Sequence, residues 1–369
     1  MGFSSRFLGV VARLSCLLIM LLTACGDEGG GTTPPFTPTT NAGQVRVTAM
    51  PTIVASITVA APTISVNAAQ TSPLAPTPKA TLNGPGRWLN KAPIPTARSE
   101  VGVAEVNGKI YVLGGFGGNQ ANEEYDPLTD KWRRRASLPR PLNHPGAVGL
   151  NGKVYLVGGF DDRNGQAVAE VQEYDPITDK WTARAPMLTA RGALGVAALD
   201  GKLYAVGGQN NIDLSANEVY DPTTNSWRKL AGLPTPRDHL GVAALAGKIY
   251  AVGGRFTDYN RNTGLNEIYD PATNSWQSRS LMTTPRSGVA ATVLDGRLFI
   301  FGGESGQGTF KENEAYDPTL DRWVSLAPMP TPRHGIGAVV IGDIIYLPSG
   351  GPVPGGSQTE KHEAFTLAS

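Results

Sequence analysis

The six tryptophans of the chain, Trp88, Trp132, Trp181, Trp227, Trp276 and Trp323, fall at one place in a repeated unit of 44 to 49 residues. A unit of that size cannot bury its apolar face alone, so neighbouring units must stack into a shared core. Ten residues after each Trp comes a lead position, and sixteen beyond that a doublet of small residues. Five doublets are Gly-Gly (Gly114-Gly115, Gly158-Gly159, Gly207-Gly208, Gly253-Gly254, Gly302-Gly303) and the sixth is Ser349-Gly350. From the aromatic of each Tyr-Asp-Pro (Tyr125, Tyr174, Tyr220, Tyr269, Tyr316) to the following Trp is always seven. Only the interval from doublet to aromatic varies, at 10, 15, 12, 15, 13 and 15 residues, the last ending at Phe365.

Each unit reads as four short strands. Strand a is small and apolar, as in Gly241 to Leu245; strand b alternates, as in Lys153 to Val157, and runs into the doublet; strand c closes on Tyr-Asp-Pro; strand d starts at the Trp. Asn107-Gly108, Asn151-Gly152, Asp200-Gly201 and Asp295-Gly296 suit type I′ hairpins between a and b, where both central residues need positive φ. The c–d connections, such as Asp126-Pro127-Leu128-Thr129-Asp130, suit type I turns. Four antiparallel strands at this period make an all-β propeller blade. With 45 Gly, 29 Pro and 17% charged residues, the composition agrees with a turn-rich β protein. A formal net charge of +1 and the lack of a basic stripe argue against a nucleic-acid partner.

Residues 1–24 read as an export signal: Arg6 and Arg13 precede an apolar run from Leu14 to Ala24, too short to span a bilayer. Leu22-Thr23-Ala24-Cys25-Gly26 resembles the bacterial lipobox, which implies a lipid anchor on Cys25 and placement outside the cytoplasmic membrane. Cys16 would leave with the signal, so the mature chain would hold neither thiol nor disulfide. Residues 25–86 are rich in Thr, Pro, Ala and Ser, and read as a flexible stalk; Val45 to Val66 alone is β-branched enough for a strand.

The doublets, the tyrosines and the tryptophans resemble the kelch family, whose repeats fold as β-propellers. The resemblance covers 87–369, with Ser349 in place of a Gly, Phe299 in place of the strand-b Tyr, and no Trp after Phe365. The repeats start with a lone strand d at Trp88 and stop after a strand c. The expected architecture is therefore a six-bladed kelch-type propeller in which the N-terminal d strand joins the C-terminal a–c strands, as a monomer.

Invariant spacing makes the six Trp structural, since a ligand site needs one constellation and a core needs the same residue six times. The lead positions are Arg98, Leu142, Arg191, Arg237, Arg286 and Arg333. Two residues before the strand-c aromatic stand Glu123, Gln172, Glu218, Glu267, Glu314 and Glu363, and the unit without Arg is the unit without Glu. This predicts a partly buried, bidentate Arg–Glu pair in every blade but the second.

All length variation falls in the b–c loops, which share one face with the d–a loops, and insertions on one face mark the binding side of a repeat protein. Candidate contacts there are Phe116, Phe160, Arg255 and Glu304 after the doublets; Arg163, Phe256, Tyr259 and Phe310 in the longer loops; and Glu100, His144, His239 and His334 from the d–a side. In kelch adaptors the matching positions line a mouth that holds partner peptides, which makes Arg163, Arg255, His144 and His239 the foremost contacts by resemblance. The expected function is an extracytoplasmic, membrane-anchored module that presents this face to a protein, peptide or glycan. The alternative implied by the family is a carbohydrate enzyme of the sialic-acid mutarotase type, with Glu100, Glu304, His144 and His239 as acid/base groups. Galactose oxidase shares the propeller but needs a Cys-linked Tyr, and no Cys follows Cys25. Asp161-Asp162-Arg163-Asn164-Gly165 lacks the alternating carboxylates of a calcium loop. The four His are never at ligand spacing along the chain, so no metal and no cofactor are expected.

Overall fold

In the computed structural model the described residues are 84–367; the expected leader, Cys25 and the stalk up to residue 83 lie outside them. Six four-stranded antiparallel sheets form a ring. Blade one consists of Gly102–Val106, Lys109–Leu113, Asn122–Asp126 and Lys131–Arg134, and its pattern recurs four times. Blade six takes Val339–Ile341, Ile344–Pro348 and His362–Thr366 from the C-terminus and Arg87–Asn90 from the N-terminus, with Trp88 opposite Phe365. Each strand a packs between the a strands of both neighbours, blade six against blade one included, so the ring is closed. The core lies between sheets, in six clusters that each combine residues of adjacent blades.

The tryptophans are only half buried, and each does more than fill space. The indole N–H of strand d donates across the seam to a carbonyl just past strand d of the preceding blade: Trp132 to Ala92, Trp181 to Ala136, Trp227 to Ala185, Trp276 to Ala231 and Trp323 to Ser280, at 2.8–2.9 Å. The N–H of that same residue donates to an Asp or Asn of the c–d turn, for example Ala92 to Asp130 at 3.0 Å, and Tyr125 donates to the same oxygen at 2.5 Å. The spacing of seven between Tyr and Trp thus places a left-handed Asp130, Asp179, Asn225, Asn274 or Asp321 as a three-way junction. The seam between blades five and six has no such turn, because the chain is broken there. Trp88 still donates to the Ala327 carbonyl at 2.9 Å, and the Ala327 N–H donates to the Pro85 carbonyl at 2.8 Å.

The Arg–Glu pairs form in all five blades expected, and not in the second. Their burial is complete rather than partial, with the arginines at 0% exposure. Nor are they bidentate: the guanidinium spreads its donors over backbone carbonyls. Arg286 donates to Gly302, Ile300 and Thr284 carbonyls at 2.8–3.1 Å and to Glu314 at 2.5 Å, while Thr284 occupies the other carboxylate oxygen at 3.3 Å. The cause is the doublet, whose residues turn to positive φ and end the ladder, so carbonyls there need donors from elsewhere. A Cβ on Gly115 would sit 2.3 Å from the Ser99 carbonyl, which explains why the doublet stays small.

Glu267→Gln leaves Arg237 charged and buried without its counter-ion and should cost about 3 kcal/mol, whereas Glu360→Gln at an exposed site should change little; denaturant midpoints of the two variants measure the difference. His362, wedged edge-on at the blade six–one seam against Tyr125 at 4.5 Å and Trp132 at 5.3 Å, gives a second test. Burial, with the Arg333 and Lys91 charges, pushes its pKa down to about 3, against the opposing Ala92 carbonyl and Asp130. The unfolded chain, near 6.5, takes up this proton first. The stability is therefore present above that value and lost as pH falls toward 3, by up to about 1.4 kcal/mol per pH unit. His362→Phe should flatten the acid limb of melting temperature against pH between 7 and 4.

Candidate functional site

Beyond each doublet the b–c loop is tied to the residue after the lead position: Ser99 to Phe116, Asn143 to Phe160, Gly192 to Gln209, Asp238 to Arg255, Ser287 to Glu304 and His334 to Gly351. The next residue of each blade, Glu100, His144, Ala193, His239, Gly288 or Gly335, takes a left-handed φ between 52° and 66°. Five N–H groups of this set donate to the residue before them around the ring, from His144 to Glu100 through to Gly335 to Gly288, at 2.9–3.0 Å. A circlet of backbone bonds thus surrounds the axial mouth, and its side chains stand over it.

Three blades place chemistry on that circlet. His144 Nε2 lies 3.3 Å from Glu100, and the His144 and His239 rings meet edge to face at 4.9 Å. From the bridging positions come His334, with Nε2 3.6 Å from Glu100 and 3.1 Å from Glu304, and Arg255, which donates to Glu304 at 2.7 Å, to Asp238 at 3.2 Å and to His239 Nε2 at 3.0 Å. Gly335 keeps room for this: a Cβ there would lie 2.5 Å from the Glu100 carboxylate. Burial, reinforced by the negative charge of Glu304 and opposed by Arg255, pushes the Glu100 carboxyl up to about 8. Burial holds His144 and His239 well below the usual imidazole value, and brings His334 down to about 4. His334 nevertheless has oxygens at both ring nitrogens, Gly351 at 3.1 Å and Gly355 at 2.8 Å, so when neutral it satisfies only one.

Phe116 and Phe160 stand edge-on to His144 at 5.2 and 5.6 Å, and the Arg255 guanidinium stacks on Tyr259 at 4.3 Å. The loops of blades four, five and six interlock: Asn262 donates to the Glu304 carbonyl at 2.7 Å, Gly355 N–H to the Glu304 carboxylate at 3.0 Å, and Thr309 to the Pro352 carbonyl at 2.9 Å. Beneath the loops the mouth holds a cavity of about 90 Å³ lined by Glu100, His144, His239 and Gly335. Behind it runs an axial shaft of about 390 Å³ whose walls are the small and apolar residues of the six a strands.

The structure thus brings together Glu100, His144, His239, His334, Arg255, Glu304, Phe116, Phe160 and Tyr259. The Arg261 guanidinium lies over Phe256 at 5.8 Å, and half-buried Phe310 donates its backbone N–H to the Gly303 carbonyl at 2.8 Å. Arg163 folds back on Asp161 at 2.6 Å with 62% of its side chain exposed. The histidines, distant in sequence, lie at ligand spacing in space, because the ring turns the same position of the second and fourth blades toward one axis. Sequence reasoning missed Asn143 and Asp238, which hold the Nδ1 side of the His beside them, at 2.6 Å for His144. The signal was present as Asn143-His144 and Asp238-His239 at the same two positions after the lead residue.

The family model described as the KLHDC2/KLHL20/DRC7 Kelch-repeats domain matches residues 87–254 and 194–361. The chain belongs to the kelch-repeat β-propellers. The solved structure of YjhT superposes with a TM-score of 0.65 over 74% of this chain and 95% of that one, at 16% identity, a likeness of fold. No curated protein matches the chain.

Proposed function

We propose that this chain is an exported, lipid-anchored kelch propeller that binds a sugar at the axial mouth of its b–c/d–a face. The observation that carries the reading is the shape of the polar cluster: Glu100 and His239 are less than 9% exposed and lie below a rim that includes the edges of Phe116 and Phe160. A flat protein surface could not reach them, while a hydroxyl-rich ring could stack on an aromatic and lower its hydroxyls between uncharged donors and acceptors. Arg255 is already committed to Glu304 and Asp238, so the mouth offers little to an acidic peptide.

A second reading, a sugar mutarotase, is supported by the convergence of one carboxyl and two imidazoles on the axis, the geometry that ring opening needs to move one proton off a hydroxyl and another onto the ring oxygen. For anchoring, the support is the lipobox-like run ending at Cys25.

Glycan and peptide arrays probed with the full chain should light up glycans, and Phe160→Ala should weaken the best hit about tenfold, the worth of one aromatic contact. Peptide binding alone would overturn the sugar reading. Exchange spectroscopy of the bound sugar's anomers reports the second reading: acceleration makes the site an enzyme. Cys25→Ser should move the chain from the membrane to the soluble fraction of fractionated cells, and an unchanged distribution refutes the anchor.

A further inference from the structure

We propose that Glu100, His144 and His239 form a binding site for a divalent first-row transition-metal ion at the axial mouth. One ligand atom from each lies within 4.8 Å of the other two. A tetrahedral ion with bonds of about 2.1 Å needs edges of about 3.4 Å, so side-chain rotations of an ångström or so close the set.

Three independent features point to a metal. The first is the orientation of the imidazoles. His144 Nδ1 faces the Asn143 side-chain oxygen at 2.6 Å, and Asn143 is itself held by Asp162; His239 Nδ1 faces a carboxylate oxygen of Asp238. An oxygen at that place requires the proton on Nδ1, which leaves a lone pair on each Nε2. This outer arrangement of a carboxylate or amide behind each histidine is the one that metal-ligating histidines use.

The second is backbone strain. The six circlet positions share a left-handed φ, which Gly288 and Gly335 adopt freely, whereas Glu100, His144 and His239 hold it at 52°. A side chain in that region costs on the order of 1–2 kcal/mol. Ala193 holds the same conformation at 53°, so the turn belongs to the ring, and what distinguishes Glu100, His144 and His239 is that the strained positions there carry ligand groups aimed at one point.

The third is the supply of oxygen ligands. Glu100, Glu304 and Asp238 bring three carboxyl groups to one enclosed space, and Arg255 bonds Glu304 and Asp238. The Glu100 carboxyl is left for an ion, which binds it as the carboxylate in exchange for its proton. Two imidazoles and one carboxylate suit Zn²⁺ or its neighbours rather than the oxygen-seeking Mg²⁺ or Ca²⁺. Glu304 and His334, which make a second such group with Glu100, are already engaged by Arg255 and by the Gly355 backbone. Arg255 donates to His239 Nε2 and must turn aside for the ion, so the two compete for one lone pair.

The inference does not depend on the sugar reading, and its test uses the ion alone. The full chain, without a polyhistidine tag and stripped with chelator, is titrated with Co²⁺ while visible d–d absorption is followed, and Zn²⁺ is counted by elemental analysis after gel filtration. One ion per chain is expected, with Asp238→Asn weakening binding by about 10–100-fold and His144→Ala and His239→Ala by at least as much. His362→Ala, at a buried histidine elsewhere, should bind like the parent. Should the ring variants fail to fold, X-ray absorption at the zinc edge of the parent decides: imidazole scattering at about 2.0 Å supports the site. An all-oxygen shell, absence of Co²⁺ bands, or equal binding by the parent and a folded variant lacking both imidazoles overturns it.

Discussion

The ring depends on a guanidinium buried at the root of a blade. Two residues of positive φ end strand b abruptly, so backbone carbonyls at the doublet and beside it lose their strand partners inside a dry interior. Loop N–H groups reach the second carbonyl of the doublet, as Phe310 does at Gly303, and an arginine with several N–H groups in a rigid fork can serve three further carbonyls and one carboxylate at once. Arg237 and Arg286 each do this. Because the fork fixes the lead residue against the end of strand b in five blades, and a strand bridge does so in the second, the two residues after it fall at the same place around the ring. The circlet at the axial mouth follows from that constancy.

How the second blade manages without the pair shows which part of the device is indispensable. Leu142 fills the apolar space that the arginine stem would take, and Gln172 is half exposed. Arg140, two residues earlier, reaches Asp161 and Glu170 at 2.5 Å from outside the core. The bridge from Asn143 to Phe160 survives, so the position of His144 is kept although the buried ion pair is gone.

Much of this was written in the spacing of the chain. The blades, the closure at Trp88 and the Arg–Glu pairs could all be read from residues recurring at fixed intervals, because a repeated contact leaves a repeated mark. What each mark does was less legible. The half-buried indoles give a ruler of tryptophans the look of core packing, but their N–H groups carry the seams. The site was legible only in pieces: Glu100, His144 and His239 occupy one position of the repeat, yet their convergence is created by ring closure, a relation between blades that no interval along the chain expresses. Arg163 shows a local relation that spacing also leaves out. Its guanidinium donates to Asp161, two residues before it, while 62% of the side chain stays exposed on the loop face.

Five seams join residues 40 to 45 apart, and the sixth joins Trp88 to Ala327, 239 apart. Mechanically the ring therefore has one latch. Tension applied to the chain before residue 84 falls first on the Pro85 bond to Ala327 and then on a four-residue strand that unzips from Phe365 one pair at a time. At the other five seams the chain runs directly from one blade into the next, so the covalent chain shares any load with the hydrogen bonds. The strand that completes the circle is thus also its weakest point under force, and a tether attached at that end would peel the propeller open rather than tear it.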